Sequence, residues 1–217
     1  MKSKNAIIVL LTIFTICCLL GCENNSKKAI DFGKYESGVY TNSYFKLKVT
    51  IPEAWYVMDD ETRFEFMKKS GKIIAGKDKN LNAALEAADL DSLNLLFASE
   101  QPPGSSTNSN PNLILMAEKV KHLPGIVRGK DYHFHTKKML EASAVKVSYP
   151  KEIYEEQIDG INFDVLEIQI DMGTNTIRQK QYATIMNGYA LLFGLTYTDD
   201  NGLQKLDGII SAVNFNH

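Results

Sequence analysis

Beyond residue 22 the sequence has no cysteine. All three, Cys17, Cys18 and Cys22, lie in or at the end of a single apolar stretch. The chain that follows therefore has no disulfide, no thiolate metal ligand and no thiol nucleophile of its own, and its stability must come from its core. Tryptophan is almost missing too, with Trp55 alone. No G-x-S-x-G elbow and no H-E-x-x-H helix occurs, which removes two common routes to hydrolysis. Excess positive charge is also lacking. The formal net charge is −2, and because the first 21 residues carry Lys2 and Lys4 and no acid, the remainder bears −4. A mildly acidic domain has no electrostatic attraction for nucleic acid or for anionic lipid headgroups, so no nucleic-acid partner is expected. What is present is ordinary globular material: 44% hydrophobic and 23% charged residues in 217, enough for one good core.

The first stretch explains where the cysteines sit. Lys2 and Lys4 precede an apolar run from Ala6 to Leu20 that only Thr12 and Thr15 interrupt. This is the charged and hydrophobic pattern of a signal peptide. It ends in Leu19-Leu20-Gly21-Cys22. That tetrad resembles the lipobox of bacterial lipoproteins, with an aliphatic residue at −3, a small one at −1 and an obligatory Cys at +1. The resemblance implies a palmitate-type diacylglycerol lipid on Cys22 and cleavage between Gly21 and Cys22. A retained signal anchor is the alternative, but the run is shorter than the roughly 20 residues that span a bilayer. Secretion with cleavage elsewhere is another. Two acyl chains give a firm anchor. The expected organisation is a signal peptide at 1–21, a flexible tether at 22–34 rich in Asn, Ser and Lys, and a single domain at 35–217, held at the extracytoplasmic face of the cell membrane.

The rest reads as α+β. Tyr44 to Ile51 alternates, with Phe45, Leu47, Val49 and Ile51 on one side, and predicts a half-buried strand stopped by Pro52. Residues 59–70 suit a helix, with Phe64 and Met67 on one side. Asn80 as N-cap with Leu81, Ala84, Leu85 and Ala88 predicts a second. Leu93 to Ala98 and Leu113 to Val120 are apolar on both faces, as doubly covered strands are. The Pro/Ser/Asn-rich segment 101–111 between them reads as a long exposed hairpin connection. Residues 130–142 predict another helix, with Tyr132, Thr136, Met139 and Leu140 on one side. Strands follow at about 152–158, 161–172, 176–186 and 189–198. A change of apolar phase near Val165 predicts a bulge, and Asn187-Gly188 predicts a two-residue hairpin. The end is a helix capped by Asp199 or Asp200, with Leu203, Leu206, Ile209, Ile210 and Val213 as its stripe. The sum is an antiparallel sheet of about six strands with helices on its faces.

Two patches resemble the PsbP/Mog1-like fold, which occurs in photosystem II subunits, a nuclear-transport factor and many small bacterial lipoproteins. One is Tyr40 to Trp55, an opening strand followed by a Pro-x-x-Trp turn. The other is Gly188 to Tyr197 with the final helix and Val213-Asn214-Phe215. Together they frame about residues 38–216. Ala54 stands where the family usually has glycine. The resemblance implies an α/β/α sandwich and a binding or assembly protein rather than an enzyme.

Individual motifs add little chemistry. Gly71 to Lys77 has G-x-x-x-x-G-K spacing, but Asp78 replaces the Ser or Thr that holds Mg²⁺, so a turn is expected. Asp131, His133 and His135 alternate, yet on a helix the two imidazoles point apart and no third metal ligand is identifiable. Glu155, Glu156, Asp159, Asp164 and Glu167 are plentiful acids, with none singled out as a catalytic pair. Trp55 reads as a core plug, with a stacking platform for sugar or peptide as the alternative. The expectation is thus a lipid-anchored, non-catalytic binding or assembly module of the cell envelope with a protein partner, Cys22 as its one assigned site, and no cofactor or metal. A carrier of a small lipid or peptide ligand is the alternative.

Overall fold

The computed structural model describes residues 31–75, 79, 83, 92–105, 109–143, 145–173 and 175–216. The predicted signal peptide, Cys22 and the helix expected from Asn80 to Ala88 lie outside the described residues, apart from Ala83, which is helical.

The described chain forms twelve strands in two antiparallel sheets, not one sheet of about six. The smaller sheet joins β1 (Lys34–Glu36), β2 (Val39–Asn42), β3 (Leu47–Thr50) and β12 (Asn214–Phe215) in the order β1-β2-β3-β12. The larger runs β4 (Tyr56–Val57), β5 (Ser92–Ser99), β6 (Asn112–Lys119), β11 (Tyr189–Tyr197), β10 (Thr176–Met186), β9 (Ile161–Asp171) and β7 (Val147–Ser148). Strand β8 (Tyr154–Ile158) pairs β9 as well. The excess comes from strands of two to four residues, too short to show a period of two in the sequence. Three helices accompany them: α1 (Asp60–Ala75), α2 (Gly129–Ala142) and α3 (Asp200–Ser211).

The strand expected from Tyr44 begins only at Leu47. Ser43 to Lys46 instead form the turn of the β2–β3 hairpin, and Lys46 takes a φ of 52°. Asn42 is the cause. Its buried side-chain carbonyl accepts from the Phe45 N–H at 3.0 Å, and its amide donates to the Asp31 carbonyl at 2.7 Å. An Asn side chain that mimics a backbone turn in this way outcompetes the ladder. The alternation still reports burial correctly, since Phe45, Leu47, Val49 and Ile51 are all buried.

The bulge expected near Val165 is absent. The β9–β10 register runs without a shift from Asp171 to Asp164, and the irregularity falls in β5 between Asn94 and Leu96. Both parities of β9 are apolar because both faces are covered. Phe163 and Val165 are buried on one, Leu166 and Ile168 on the other. On the second face Leu140 of α2 packs with Leu166 and Ile168, while Ala183, Ala190 and Leu192 pack with Val120 and Ile126. On the first, the rings of Phe163, Tyr182 and Phe193 meet edge-on, and Phe215 of the smaller sheet lies 6.1 Å from Phe163.

Helix α2 starts hard against the sheet at Gly129, where a Cβ would stand 2.0 Å from the Ala183 carbonyl oxygen. Only glycine fits there. The hairpin at Asn187-Gly188 is as expected, with φ of 54° and 83°, the values of a type I′ turn. Asp199 caps α3 by accepting the Gly202 N–H at 2.7 Å. Leu206, Ile209 and Ile210 are buried, and α3 lies over β11.

Candidate functional site

Strand pairing turns a scattered set of polar residues into one cluster. In the paired rows across β8, β9, β10 and β11, Tyr154 stands opposite Val165, Val165 opposite Tyr182 and Tyr182 opposite Phe193. The neighbouring row is Glu167 opposite Lys180 opposite Leu195. Because side chains two apart share a face, Tyr154, Glu156, Glu167, Lys180, Tyr182 and Tyr197 all project from the face that carries the Phe163 aromatic cluster. Leu203 of α3 closes one side, leaving a cleft of about 390 Å³.

Its ions are closed into pairs. The Lys180 ammonium lies 3.0 and 3.1 Å from the two oxygens of Glu156, with its side chain 12% exposed. The Tyr182 hydroxyl donates to the same carboxylate at 2.8 Å. One row away, Glu167 Oε1 accepts from the Tyr154 hydroxyl at 2.6 Å and from Lys151 at 2.9 Å. At the rim Arg178 meets Asp200 at 2.9 Å. Burial opposes ionisation of Glu167, but the bonds from Tyr154 and Lys151 and the two lysine charges outweigh it and hold its carboxyl below the usual range. Burial first, then the adjacent Glu156 and Glu167 carboxylates, push the Tyr182 and Tyr154 phenols far up, so both remain protonated donors. Burial likewise raises Tyr197 and Asp207. Such a site offers fixed donors and acceptors.

A larger groove of about 610 Å³ lies between the β1–β2 hairpin and the start of α1, and it is the weaker candidate despite its size. Two of its acids, Asp59 and Asp60, are already used locally. Asp59 caps α1 by accepting the Thr62 N–H at 2.9 Å and hydroxyl at 2.8 Å. Its buried Arg63 is spent on the Asn94 carbonyl, the Met58 carbonyl and Asp60. Those bonds hold the fold and leave little for a ligand.

The residues singled out in the sequence land elsewhere. Cys22 lies outside the described residues. His133 and His135 fall on α2 and point apart as expected. His133 is buried, with Nε2 3.0 Å from the Asp164 carbonyl oxygen, and His135 is exposed. Among the described residues no group of three or more His, Cys, Asp or Glu is placed to hold a metal. Trp55 is half-buried, neither sealed in the core nor a bare platform. Gly71 to Ala75 continue α1, and residues 76–78 of the G-x-x-x-x-G-K stretch lie outside the described residues. The 101–111 segment does connect a hairpin. Gln101 and Asn110 exchange bonds of 2.9 Å across its base, while residues 106–108 lie outside the described residues. Three tetrads, Ser43 to Lys46, Ser143 to Lys146 and Ser148 to Lys151, have S-x-x-K spacing, and Lys151 of the third is paired with Glu167. The Ser43 hydroxyl donates to Asp31, and that of Ser143 to the Leu140 carbonyl.

The acids divide three ways. Glu155 and Asp164 both pair with Arg128, Asp159 accepts the Phe215 N–H, and Glu156 and Glu167 enter the cleft. Sequence reasoning missed Lys180, Tyr154, Tyr182 and Tyr197. No local signal marks them, since on β10 the two buried residues, Tyr182 and Ala183, lie on opposite parities.

No family model and no curated protein matches the chain. Solved structures do. Cyanobacterial PsbP (CyanoP) from Synechocystis is similar at 14% identity and a TM-score of 0.49, over 85% of this chain and 96% of that one. The immunity protein TplEi from Pseudomonas aeruginosa is similar at 7% identity and a TM-score of 0.43, over 83% and 99%. LpqN of Mycobacterium tuberculosis, described as involved in cell envelope biogenesis, is similar at 12% identity and a TM-score of 0.38, over 76% and 79%. None of these likenesses bears on a residue of the cleft.

Proposed function

We propose that the chain is a lipoprotein held at the extracytoplasmic face of the membrane by lipid on Cys22. Its domain is a PsbP/Mog1-like α/β/α sandwich that works as a non-catalytic binding or assembly module of the cell envelope, with a protein partner there. The observation that carries the reading is the pairing of an N-terminal lipobox-like Leu19-Leu20-Gly21-Cys22 with a domain whose charged cleft keeps its ions satisfied. A cleft of that kind recognises by shape and hydrogen bonding, since Glu167 is held ionised and the Tyr154 and Tyr182 phenols protonated.

The test compares the full chain with Cys22→Ser in a lipoprotein-processing bacterium fed labelled palmitate. Wild type is expected to take up label, pellet with membranes and cross-link to a specific envelope protein. Cys22→Ser should remain unlabelled and lose that partner. Equal labelling and pelleting of the two would remove the anchor. Turnover of an envelope substrate by the purified chain, lost on Lys180→Met, would replace the binding module with an enzyme.

A further inference from the structure

The groups that the cleft leaves unspent point to a class of ligand. Its cations and anions are matched one for one: Lys151 with Glu167, Lys180 with Glu156, Arg178 with Asp200. An anionic ligand would have to displace a carboxylate, and a cationic one an amine. Breaking the Lys180–Glu156 or Lys151–Glu167 pair, each with one largely buried member, costs more than a new ion returns, while the exposed Arg178–Asp200 pair at the rim contributes little either way. A neutral ligand meets no such cost. Asp207, raised by burial, stands outside those pairs and adds no fixed cation for an anion to meet.

Three groups have hydrogen-bonding capacity to spare. Tyr197 is 7% exposed and lines the cleft, yet its hydroxyl has no partner among the described residues. The Gln169 side chain also lines the cleft and has none among the described residues. On Glu167 both donors bind Oε1, leaving Oε2 open. One group therefore both donates and accepts, an amide offers two donors and an acceptor, and a carboxylate oxygen accepts only. A hydroxyl serves all three, because it donates and accepts at once. A ring carrying several hydroxyls serves them together. The remaining walls, from Tyr154, Pro150 and Leu203, suit the C–H faces of such a ring, and about 390 Å³ accommodates one or two rings.

We propose that the cleft between β8–β10 and α3 binds a neutral saccharide, with Tyr197, Gln169 and Glu167 Oε2 as its contacts. This deepens the binding-module reading and rests on it in one respect, that the domain binds its ligand without transforming it.

The experiment uses the full chain extracted from membranes in a zwitterionic, sugar-free detergent. Maltotriose and N,N′,N″-triacetylchitotriose are titrated by calorimetry beside trialanine and inorganic phosphate. Saturable binding of at least one saccharide is expected. Tyr197→Phe and Gln169→Ala should each weaken it about tenfold, the worth of one lost hydrogen bond, with thermal unfolding unchanged. Gln169→Ala is retained in case Tyr197→Phe disturbs packing. The proposal is overturned if neither saccharide binds at about 10 mM, if binding is indifferent to both variants, or if only trialanine or phosphate binds. Partner capture by wild type against Cys22→Ser is read without any saccharide. An intact partner with no saccharide binding therefore overturns the ligand class alone, and loss of both overturns the function as well.

Discussion

His133 makes the stability of this domain fall on mild acidification, by an amount that its surroundings fix. The imidazole is fully buried on α2. Its Nε2–H donates to the Asp164 carbonyl oxygen at 3.0 Å, and Nδ1 has no partner among the described residues. The neutral tautomer fits this site. The imidazolium would add an N–H at Nδ1, which makes no hydrogen bond in the folded chain among the described residues. Burial accordingly lowers the His133 pKa, with the Asp164 carbonyl and carboxylate and the Gln181 backbone only partly offsetting it. The charged groups around it are the Asp164 carboxylate, already engaged by the Lys130 N–H at 2.9 Å, and Arg128 at 3.1 Å from that carboxylate. The unfolded chain titrates this histidine near 6.5, while the folded chain resists protonation until lower pH. Below about pH 6.5 the unfolded state binds the extra proton, and stability falls by up to about 1.4 kcal/mol per pH unit until the folded site protonates as well. Between pH 6.5 and 5 the loss is at most about 2 kcal/mol, the limit reached when the folded site stays neutral throughout, set against the roughly 5–15 kcal/mol that a domain ordinarily has. Urea unfolding across pH 5–8 measures it against His133→Gln, whose amide can still donate to Asp164 and does not titrate. The wild-type curve should drop away from the variant's below pH 6.5 and run parallel to it above pH 7, because acid titrations common to both cancel. A constant offset at all pH values, or a wild type that gains on the variant in acid, would refute the reasoning.

Two further perturbations test the contacts that hold the sheet and the cleft. Gly129→Ala forces a Cβ to within 2.0 Å of the Ala183 carbonyl oxygen, so α2 must lift from the sheet. The cost is about 1–3 kcal/mol, read as a thermal midpoint lowered by roughly 2–4 °C for each kcal/mol; an unchanged midpoint would mean the helix start is not held there. Lys180→Met leaves Glu156 with the Tyr182 hydroxyl as its remaining partner and should destabilise by about 1–3 kcal/mol. Lys180→Met/Glu156→Leu should recover part of that, and a double-mutant cycle with no coupling would show that the pair is not formed.

Much of the fold was legible because burial leaves a period in the sequence wherever an element is long. Strands β9, β10 and β11 and helices α2 and α3 match their expected spans to within a residue or two at each end. Each carries three or more apolar side chains at the right spacing. Failures occur where a local side-chain bond or a short pairing decides. Asn42 cuts the expected strand at Tyr44 by holding the Phe45 N–H, a contact that alternation cannot report. The supposed phase change at Val165 was a correct observation with the wrong cause. A strand covered by α2 on one side and the aromatic cluster on the other has no polar parity, so its pattern looks like a slip in register.

The cleft was illegible for a related reason. Glu167 and Lys180 are thirteen positions apart, and nothing local marks them as neighbours. They meet because the β9–β10 register sets them opposite each other, and a shift of one residue would have sent Lys180 to the face that holds Ala183. Glu156 reaches Lys180 only across the whole width of β9. An acid on the buried parity of a strand is costly unless a cation or phenol arrives from another strand. The inference that a sequence permits is therefore conditional. Charged residues at buried parity require partners brought from elsewhere in the chain, as Lys180 finds Glu156 and Glu167 finds Lys151, and the register that places them is also the register that buries Phe163, Tyr182 and Phe193. In this domain the packing of the aromatic core and the pairing of the cleft are one constraint, and a change that slips β10 past β9 would lose both together.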